Sequence, residues 1–297
     1  MTLRLDHTDG SAVTVLAGDA VLLRYVYAPT TPANESPRPY AHPVNTLAGD
    51  TLTNFRPNDH PWHHALSFTL NHVSGANFWG GPTCLPGTGY KWLDNHGAQH
   101  HEAWTTLEAT GATATLAHTL AWCGPRATPS PAAARAETLF QEVRSVEISL
   151  PPETPEAWSL RWRSRLTNVS GRVLSLGNPH SFGGLAGSHY NGLQFRGARE
   201  FLDDHLDPTI KVVADGGLEG IAAVHGALAR GMEWHGQCDG TLRRVKIRFE
   251  NNTGPLSWFV RRNYPLAAFP VQSDQNLELP VGGELAVDHT LTFQSPP

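Results

Sequence analysis

Residues 159–168 read SLRWRSRLTN. Leu160, Trp162, Ser164 and Leu166 alternate with Arg161, Arg163 and Arg165, the period of two expected of a strand with one buried face and one wet face. The same period returns elsewhere in the chain. VLLRYVY (21–27) sets Val21, Leu23, Tyr25 and Tyr27 on one face. RRVKIRFEN (243–251) sets Val245, Ile247 and Phe249 against Arg244, Lys246, Arg248 and Glu250, and ELAVDHTLTF (284–293) aligns Leu285, Val287, His289, Leu291 and Phe293. Turn formers separate such runs at Asp9-Gly10, Thr110-Gly111, Asn168 to Gly171, Asn251 to Gly254 and Gly282-Gly283. No segment carries a helical period with start and stop signals; AAARAETLF (132–140) admits at most a short helix. The pattern predicts an all-β chain with long irregular loops. TPSPAAARA (128–136) is the one linker-like run, and strands of the same style flank it, so a single domain over 1–297 is expected, with a two-lobed stack of sheets as the alternative.

Composition narrows the function. With 22 basic and 27 acidic residues among 297, the formal net charge of −5 leaves no basic field to hold a phosphate backbone, and nucleic acid is not an expected partner. No apolar run approaches the roughly 20 residues that cross a bilayer, and MTLRLDHTDGSAVTVLAGDAV (1–21) lacks the regions of a secretory leader. A soluble, cytoplasmic protein with no membrane partner is expected; nothing specifies an oligomeric state. Cys84, Cys123 and Cys238 are odd in number and form no CxxC, which argues against a disulfide framework or a thiolate zinc site. They read as small buried hydrophobes. Without a GxSxG elbow, a Walker A loop or a GxGxxG after a strand, neither a serine nucleophile nor a nucleotide cofactor is expected. The unusual counts are 16 His and 9 Trp beside 28 Gly and 23 Pro, the imidazoles and indole faces of a polar pocket for a small neutral ligand.

Those residues concentrate in irregular stretches near 28–60 and 75–103, and ordered loops of that length in a compact domain usually carry function. NDHPWHHALSF (58–68) packs Asp59, His60, His63 and His64 around Pro61 and Trp62. WLDNHGAQHHE (92–102) adds Asp94, His96, His100, His101 and Glu102. Two chemistries are open. Imidazole with carboxylate is a ligand set for zinc or for non-haem iron, manganese or nickel, with His60, His63, His64 and His100 as candidate ligands, although neither loop holds an HExxH. General acid–base catalysis needs only one or two histidines, with Asp59 fixing a tautomer. Against both stands a plainer role, hydrogen bonding to loop backbone or stacking on Trp62, Trp79 and Trp92. His180, in LGNPHSFGGLAG (176–187), is a further candidate, whereas His118 and His289 on apolar strand faces read as core histidines. PLSWFVRRNYPLAAFP (255–270) joins Trp258, Arg261 and Tyr264, and an indole beside a guanidinium can grip the hydroxyls or carboxylate of a sugar.

The run RPYAHPVNTLAGDTLTNFRPNDHPWHHALSFTLNHVSGANFWGG (38–81), with Asp239-Gly240, WFVR (258–261) and a last strand after VGGEL, resembles a bacterial family of uncharacterised proteins labelled methane oxygenase PmoA-like. The resemblance covers about 35–295 and rests on an Asp-His-Pro-x-His-His element, an Asn-Phe-Trp and a Trp-Phe-Val-Arg. Many members carry Arg-Gly after the histidine pair, where this chain has Ala65-Leu66. A weaker similarity, in LTNVSGRVLSLGNPHSFGGLAGSHYN (166–191) and AFPVQSDQNLELPVGGELAVDHTLTF (268–293), is to aldose 1-epimerases (galactose mutarotases). It implies a large antiparallel β-supersandwich that binds sugars on a concave sheet face. Mutarotases carry a catalytic Glu a few residues before the Phe-Pro; this chain has Tyr264, Pro265, Leu266, Ala267 and Ala268 there.

Together these readings predict an enzyme acting on a carbohydrate or sugar-derived small molecule. Asp59, His60, His63, His64 and His180 would supply acid–base groups or hold a divalent metal, and Arg38, Tyr40, His96, Trp258 and Arg261 would orient the substrate. A non-catalytic sugar-binding or sensing protein and a non-haem metal-dependent oxygenase are the alternatives.

Overall fold

A computed structural model describes residues 1–125 and 136–296. Residues 128–135 of the linker-like run, and with them 132–135 of the possible short helix at 132–140, lie outside the described residues; where the chain is described again, Thr138 already opens a strand. Two large antiparallel sheets dominate. The first runs, in spatial order, through Leu3–Thr8, Ala12–Ala17, Ala20–Val26, Tyr40–Val44, Leu66–Thr69, Gly192–Arg196, Leu266–Phe269 and Phe259–Val260. The second runs through Leu218–Glu219, Lys211–Ala214, Gly231–Gln237, Arg244–Asn251, Glu284–Gln294, Ala157–Asn168, Thr138–Ser149, Thr113–Cys123 and Ala98–Thr110. The all-β expectation holds, and the architecture is a β-supersandwich.

The period of two decides how the sheets pack. In Ala157–Asn168, Leu160, Trp162, Ser164 and Leu166 are buried and Arg161 and Arg165 are exposed. Strands Arg244–Asn251 and Glu284–Gln294 alternate in the same way. The inward rows of the two sheets meet through aromatic contacts: Tyr25 with Trp162 at 6.2 Å, Phe68 with Trp122 at 5.9 Å, and Phe195 with Phe249 at 5.4 Å. One continuous apolar cluster runs through both layers. The outward face of the second sheet is wet and carries ion pairs such as Arg161–Asp288 and Arg248–Asp215, which add little to stability at such exposure.

The first sheet differs, because its central strands Leu66–Thr69, Gly192–Arg196 and Leu266–Phe269 are buried at every position. Leu66, Phe68, Leu193 and Phe195 face the core. Ser67, Thr69, Gln194 and Arg196 face the other way and are covered by loops rather than water. A sheet buried on both faces needs a second layer over it, and here the long loops supply that layer. The site forms there.

The core also holds charge. In Thr138–Ser149, the parity set by Phe140, Val146 and Ile148 turns Glu142 and Arg144 inward and leaves Val143 exposed. Their ion pair is fully buried, with Nε–Oε1 and Nη2–Oε2 distances of 2.8 Å. Trp122 Nε1 donates to Glu142 at 2.6 Å, while Arg144 donates to Gln99 Oε1 at 2.9 Å and to Tyr25 Oη across the sandwich at 3.2 Å. Arg144 also lies 4.9 Å from the Trp162 ring centroid. His118 joins this network through Tyr25, and His289 pairs with Asn251, as expected of core histidines. Cys84, Cys123 and Cys238 are unpaired, and Cys84 and Cys238 are buried. No helix among the described residues is long and apolar enough to cross a membrane.

Two outcomes follow. Removing one partner of a buried pair strands the other charge, so Arg144→Met should lower the unfolding free energy by about 3–5 kcal/mol in urea titrations; a loss under about 1 kcal/mol would contradict the assignment. Burial depresses the histidine pKa values, His289 to about 3, His72 to about 4 and His118 well below 6.5. Below about pH 6.5 the unfolded chain takes up protons that the folded chain refuses, so stability is complete above that pH and drains away as pH falls toward 3–4. The Tm should begin to drop just below pH 6.5, above the carboxylate range; a flat Tm from pH 7 to 5 would refute it.

Candidate active site

Four loop segments and one sheet edge build the site over the outer face of the first sheet. Segment 58–64 starts as a turn, with His60 N bonded to Pro57 O and His63 N to His60 O. The turn splits the three imidazoles. His60 and His63 stack at 4.8 Å with their planes 24° apart. His64 turns the other way, and its Nε2 meets Glu35 Oε2 at 3.1 Å. Glu35 is buried and is also held by Arg56, through Nε at 2.9 Å and Nη2 at 2.7 Å. Burial opposes its ionisation, but the hydrogen bonds from His64 and Arg56 outweigh it and the pKa falls. Burial, with Arg38 nearby, takes His64 down to about 3, so this ring is a neutral donor to Glu35.

Arg38 fixes the walls. Its guanidinium is fully buried and donates from Nη1 to the carbonyls of Glu35, Ser36 and Trp79, each at 3.0 Å, from Nη2 to Trp62 O at 2.8 Å, and from Nε to Ser67 Oγ at 3.2 Å. Asn77 holds the neighbouring turn, its Oδ1 accepting from the Trp79 and Gly80 amides at 2.9 Å. Gly80 and Gly81 both have positive φ. A Cβ on Gly80 would fall 2.5 Å from Glu35 O, and one on Gly81 would fall 2.4 Å from the Trp62 ring. Only glycine lets the two indole-bearing segments close on each other.

The result is a cavity of about 290 Å³. Its walls are the rings of Trp62, Trp79, Tyr90, Tyr190, Phe259 and Tyr264, with His60, His63 and Arg261 as the polar groups that could grip a ligand. The rings support one another: Trp79 packs on Tyr190 at 4.9 Å, His60 on Tyr264 at 4.9 Å, and the Tyr90 and Tyr190 hydroxyls are 3.1 Å apart. Asp59 Oδ2 lies 2.9 Å from His60 Nδ1, and despite the opposing effect of burial the contact with His60 lowers the Asp59 pKa. The ionised carboxylate accepts Nδ1–H and leaves the Nε2 lone pair for the cavity. His63 is 3 % exposed and its ring makes no hydrogen bond among the described residues; its Nδ1 is buried without a partner. Burial, with Arg196 and His60 close by, holds its pKa well below 6.5.

The structure therefore brings together Asp59, His60, His63 and Arg261, and corrects the placement of the other expected residues. Arg38 is engaged by four backbone carbonyls and the Ser67 hydroxyl and is not among the residues that line the cavity. Tyr40 stacks on Phe55 at 4.4 Å beneath the loop. Trp258, between strands Leu256–Ser257 and Phe259–Val260, is fully buried in the core with its Nε1 on Ala229 O. The second histidine loop touches the first through Trp62 and Trp92 at 5.7 Å. Its imidazoles, however, go elsewhere: His96 bonds Gly81 O at 2.7 Å, and His96 and His100 line a separate recess. His60, His63, His64 and His100 thus do not converge on a common point, and as a metal-ligand set they are dispersed. Among the described residues the donors that do cluster are His180, His189 and Asp274. There His180 Nδ1 accepts from the Gly187 amide at 3.2 Å, which leaves its Nε2 protonated toward Asp274 at 3.6 Å. Glu35, Arg56, Tyr190 and Arg196 belong to the site without any local motif to announce them; only the parity of GLQFR (192–196) places Gln194 and Arg196 opposite the core.

Residues 12–295 match the model of a family described as of unknown function, DUF6807. No curated protein matches the chain. Similar solved structures include an α-galactosidase from Lactobacillus brevis, at 8 % identity over 99 % of this chain and 39 % of that one with a TM-score of 0.37. Others are the GalM/aldose epimerase homologue from C. elegans (10 % identity, 99 % of each chain, TM-score 0.36) and the galactosidase domain of the α-galactosidase-sucrose kinase AgaSK (8 % identity, 99 % of this chain, 41 % of that one, TM-score 0.35). The chain spans about two fifths of the two galactosidase chains.

Because Gly81 abuts the Trp62 ring, Gly81→Ala should displace that indole while leaving the sandwich folded. The expected readout is a changed tryptophan emission with unaltered far-UV circular dichroism; identical emission would mean that the two segments are not in contact.

Proposed function

The chain belongs to a family of unknown function, DUF6807, so its chemistry rests on its own residues, and we propose that it is an enzyme acting on a carbohydrate or sugar-derived small molecule by general acid–base catalysis. One observation carries the reading: two imidazoles, His60 held at Nδ1 by Asp59 and His63 with no side-chain partner among the described residues, border a sugar-sized cavity walled by aromatic rings. The C–H faces of a pyranose pack on indole and phenol rings, and its hydroxyls need nearby donors and acceptors, which His60, His63, Tyr90 and Arg261 offer.

The two histidines have different roles because their surroundings differ. His60 takes a substrate proton at Nε2, and the Asp59 carboxylate at Nδ1 stabilises the resulting imidazolium. His63 sits among cationic neighbours and stays neutral, so it accepts a hydrogen bond from a hydroxyl and aligns it. When the proton comes from carbon and passes to the leaving group, the outcome is elimination; when it comes from an attacking water and passes to the departing oxygen, hydrolysis; when it moves between the anomeric hydroxyl and the ring oxygen, the ring opens, and closure on either face epimerises that carbon. A second reading, binding without turnover, draws support from the absence of any carboxylate among the residues lining the cavity. The oxygenase chemistry attached to the methane-oxygenase label finds less support in a dispersed set of imidazoles.

Incubation with a panel of monosaccharides and their oxidised and phosphorylated derivatives, followed by NMR, should reveal a turned-over compound. His60→Ala should then lower kcat by about 10²–10⁴ with the fold intact. Unchanged turnover would remove His60 from the chemistry, and saturable binding with no product on long incubation would favour the binding protein.

A further inference from the structure

Beside the aromatic cavity lies a polar chamber of about 240 Å³, bordered by Asn58, Asp59, Arg196, Arg199, Asn263 and Tyr264 among others. The two share Tyr264 as a common wall, and the Asp59–His60 pair bridges them. Arg196 is the unusual member. It is 3 % exposed, its guanidinium lies 4.2 Å from the Tyr264 ring centroid, and neither its Nε nor its Nη1 has a partner. The nearest carboxylate is Asp59, whose Oδ1 is 4.0 Å from Nη2, beyond hydrogen-bonding distance, while its Oδ2 meets His60. Both polar atoms of buried Gln194, on the same face of the same strand, are also without partners. Arg199 approaches the chamber from the rim, its Nη1 3.5 Å from Asn58 Oδ1.

A buried guanidinium that borders the chamber with Nε and Nη1 unmet and a carboxylate no nearer than 4.0 Å carries a charge that the described residues compensate incompletely, which is costly unless something else does so. Arg38, in the same layer, shows the alternative, with every edge of its fork satisfied by the protein. Burial with too little compensation lowers the Arg196 pKa to about 10, still far above neutrality, so the positive charge persists. The group that compensates such a charge is a planar or tetrahedral oxyanion accepting charge-assisted N–H bonds.

We propose that the ligand of this site is acidic: it places a carboxylate or phosphate in the polar chamber on Arg196 while its ring lies in the aromatic cavity. The identity of that ring as a sugar rests on the reading above; the anionic group does not. The small neutral ligand suggested by the composition is thereby replaced by a sugar acid or sugar phosphate.

Isothermal titration of the full chain with glucuronate, galacturonate, glucose 6-phosphate and the parent glucose and galactose tests this, with shikimate and cyclohexanecarboxylate as acids that are not sugars. An acidic sugar should bind about 10- to 100-fold more tightly than its neutral parent, the worth of a charge-assisted hydrogen bond. Arg196→Gln should erase that preference; should the variant not fold, the wild-type ratio still decides. Carboxylate against phosphate is settled by which acid binds. A neutral hexose binding as well as its acid would overturn the acidic ligand and leave the carbohydrate reading standing. Binding of the non-sugar acids alone, dependent on Arg196, would keep the acidic ligand and end the carbohydrate reading. No binding by any of these compounds would overturn both.

Discussion

A single guanidinium holds the functional face of this protein together. Arg38 donates to carbonyls on both sides of the cavity, including those of the two residues whose indoles form opposing walls, and to the sheet beneath through Ser67. Arginine suits the position because its five donors form a rigid planar fork, so one buried side chain satisfies several loop carbonyls that water cannot reach. Lysine, with a single point of attachment, would leave some of them unmet. The Glu35–Arg56–His64 cluster then locks the same loop from behind, which is why a histidine within the densest imidazole run is structural rather than chemical.

The two sheets divide the work. The second is half wet and draws its stability from alternation, with an ion pair and histidines buried in the core it shares with the first sheet. The first is buried on both faces in its centre, and its outer face is polar: Ser67, Thr69, Gln194 and Arg196 lie where a solvent-facing strand would carry exposed charge. Covering polar residues with loops is favourable only where partners await them. Arg38 has its hydrogen-bond partners within the chain, whereas Arg196 Nε and Nη1 and the Gln194 amide have none among the described residues, and that contrast lies within one layer.

Much of the fold was legible in the chain itself. SLRWRSRLTN, RRVKIRFEN and ELAVDHTLTF lie as strands with the faces their alternation predicts, because burying one face of a strand imposes its period on the residues directly. The turns at Asp9-Gly10, Thr110-Gly111 and Gly282-Gly283 fall between strands for an equally local reason, the positive φ that glycine tolerates. The site was legible only in part. NDHPWHH lies at the aromatic cavity, yet which imidazole faces it depends on a turn at 57–63 and on a carboxylate more than twenty residues upstream, neither of which the spacing encodes.

The sequence by itself determined the strands, their inward faces and the concentration of histidine and tryptophan in two loops, since each of these is set by neighbours along the chain. Tertiary structure alone decided that Trp258 joins the core, that Arg38 is structural, that the second histidine loop lines its own recess, and that Arg196 lies buried with open donors beside the aromatic cavity. Burial and partnership depend on what another part of the chain places within hydrogen-bonding distance. For the outer face of a sheet roofed by loops, that is settled only when the loops close over it.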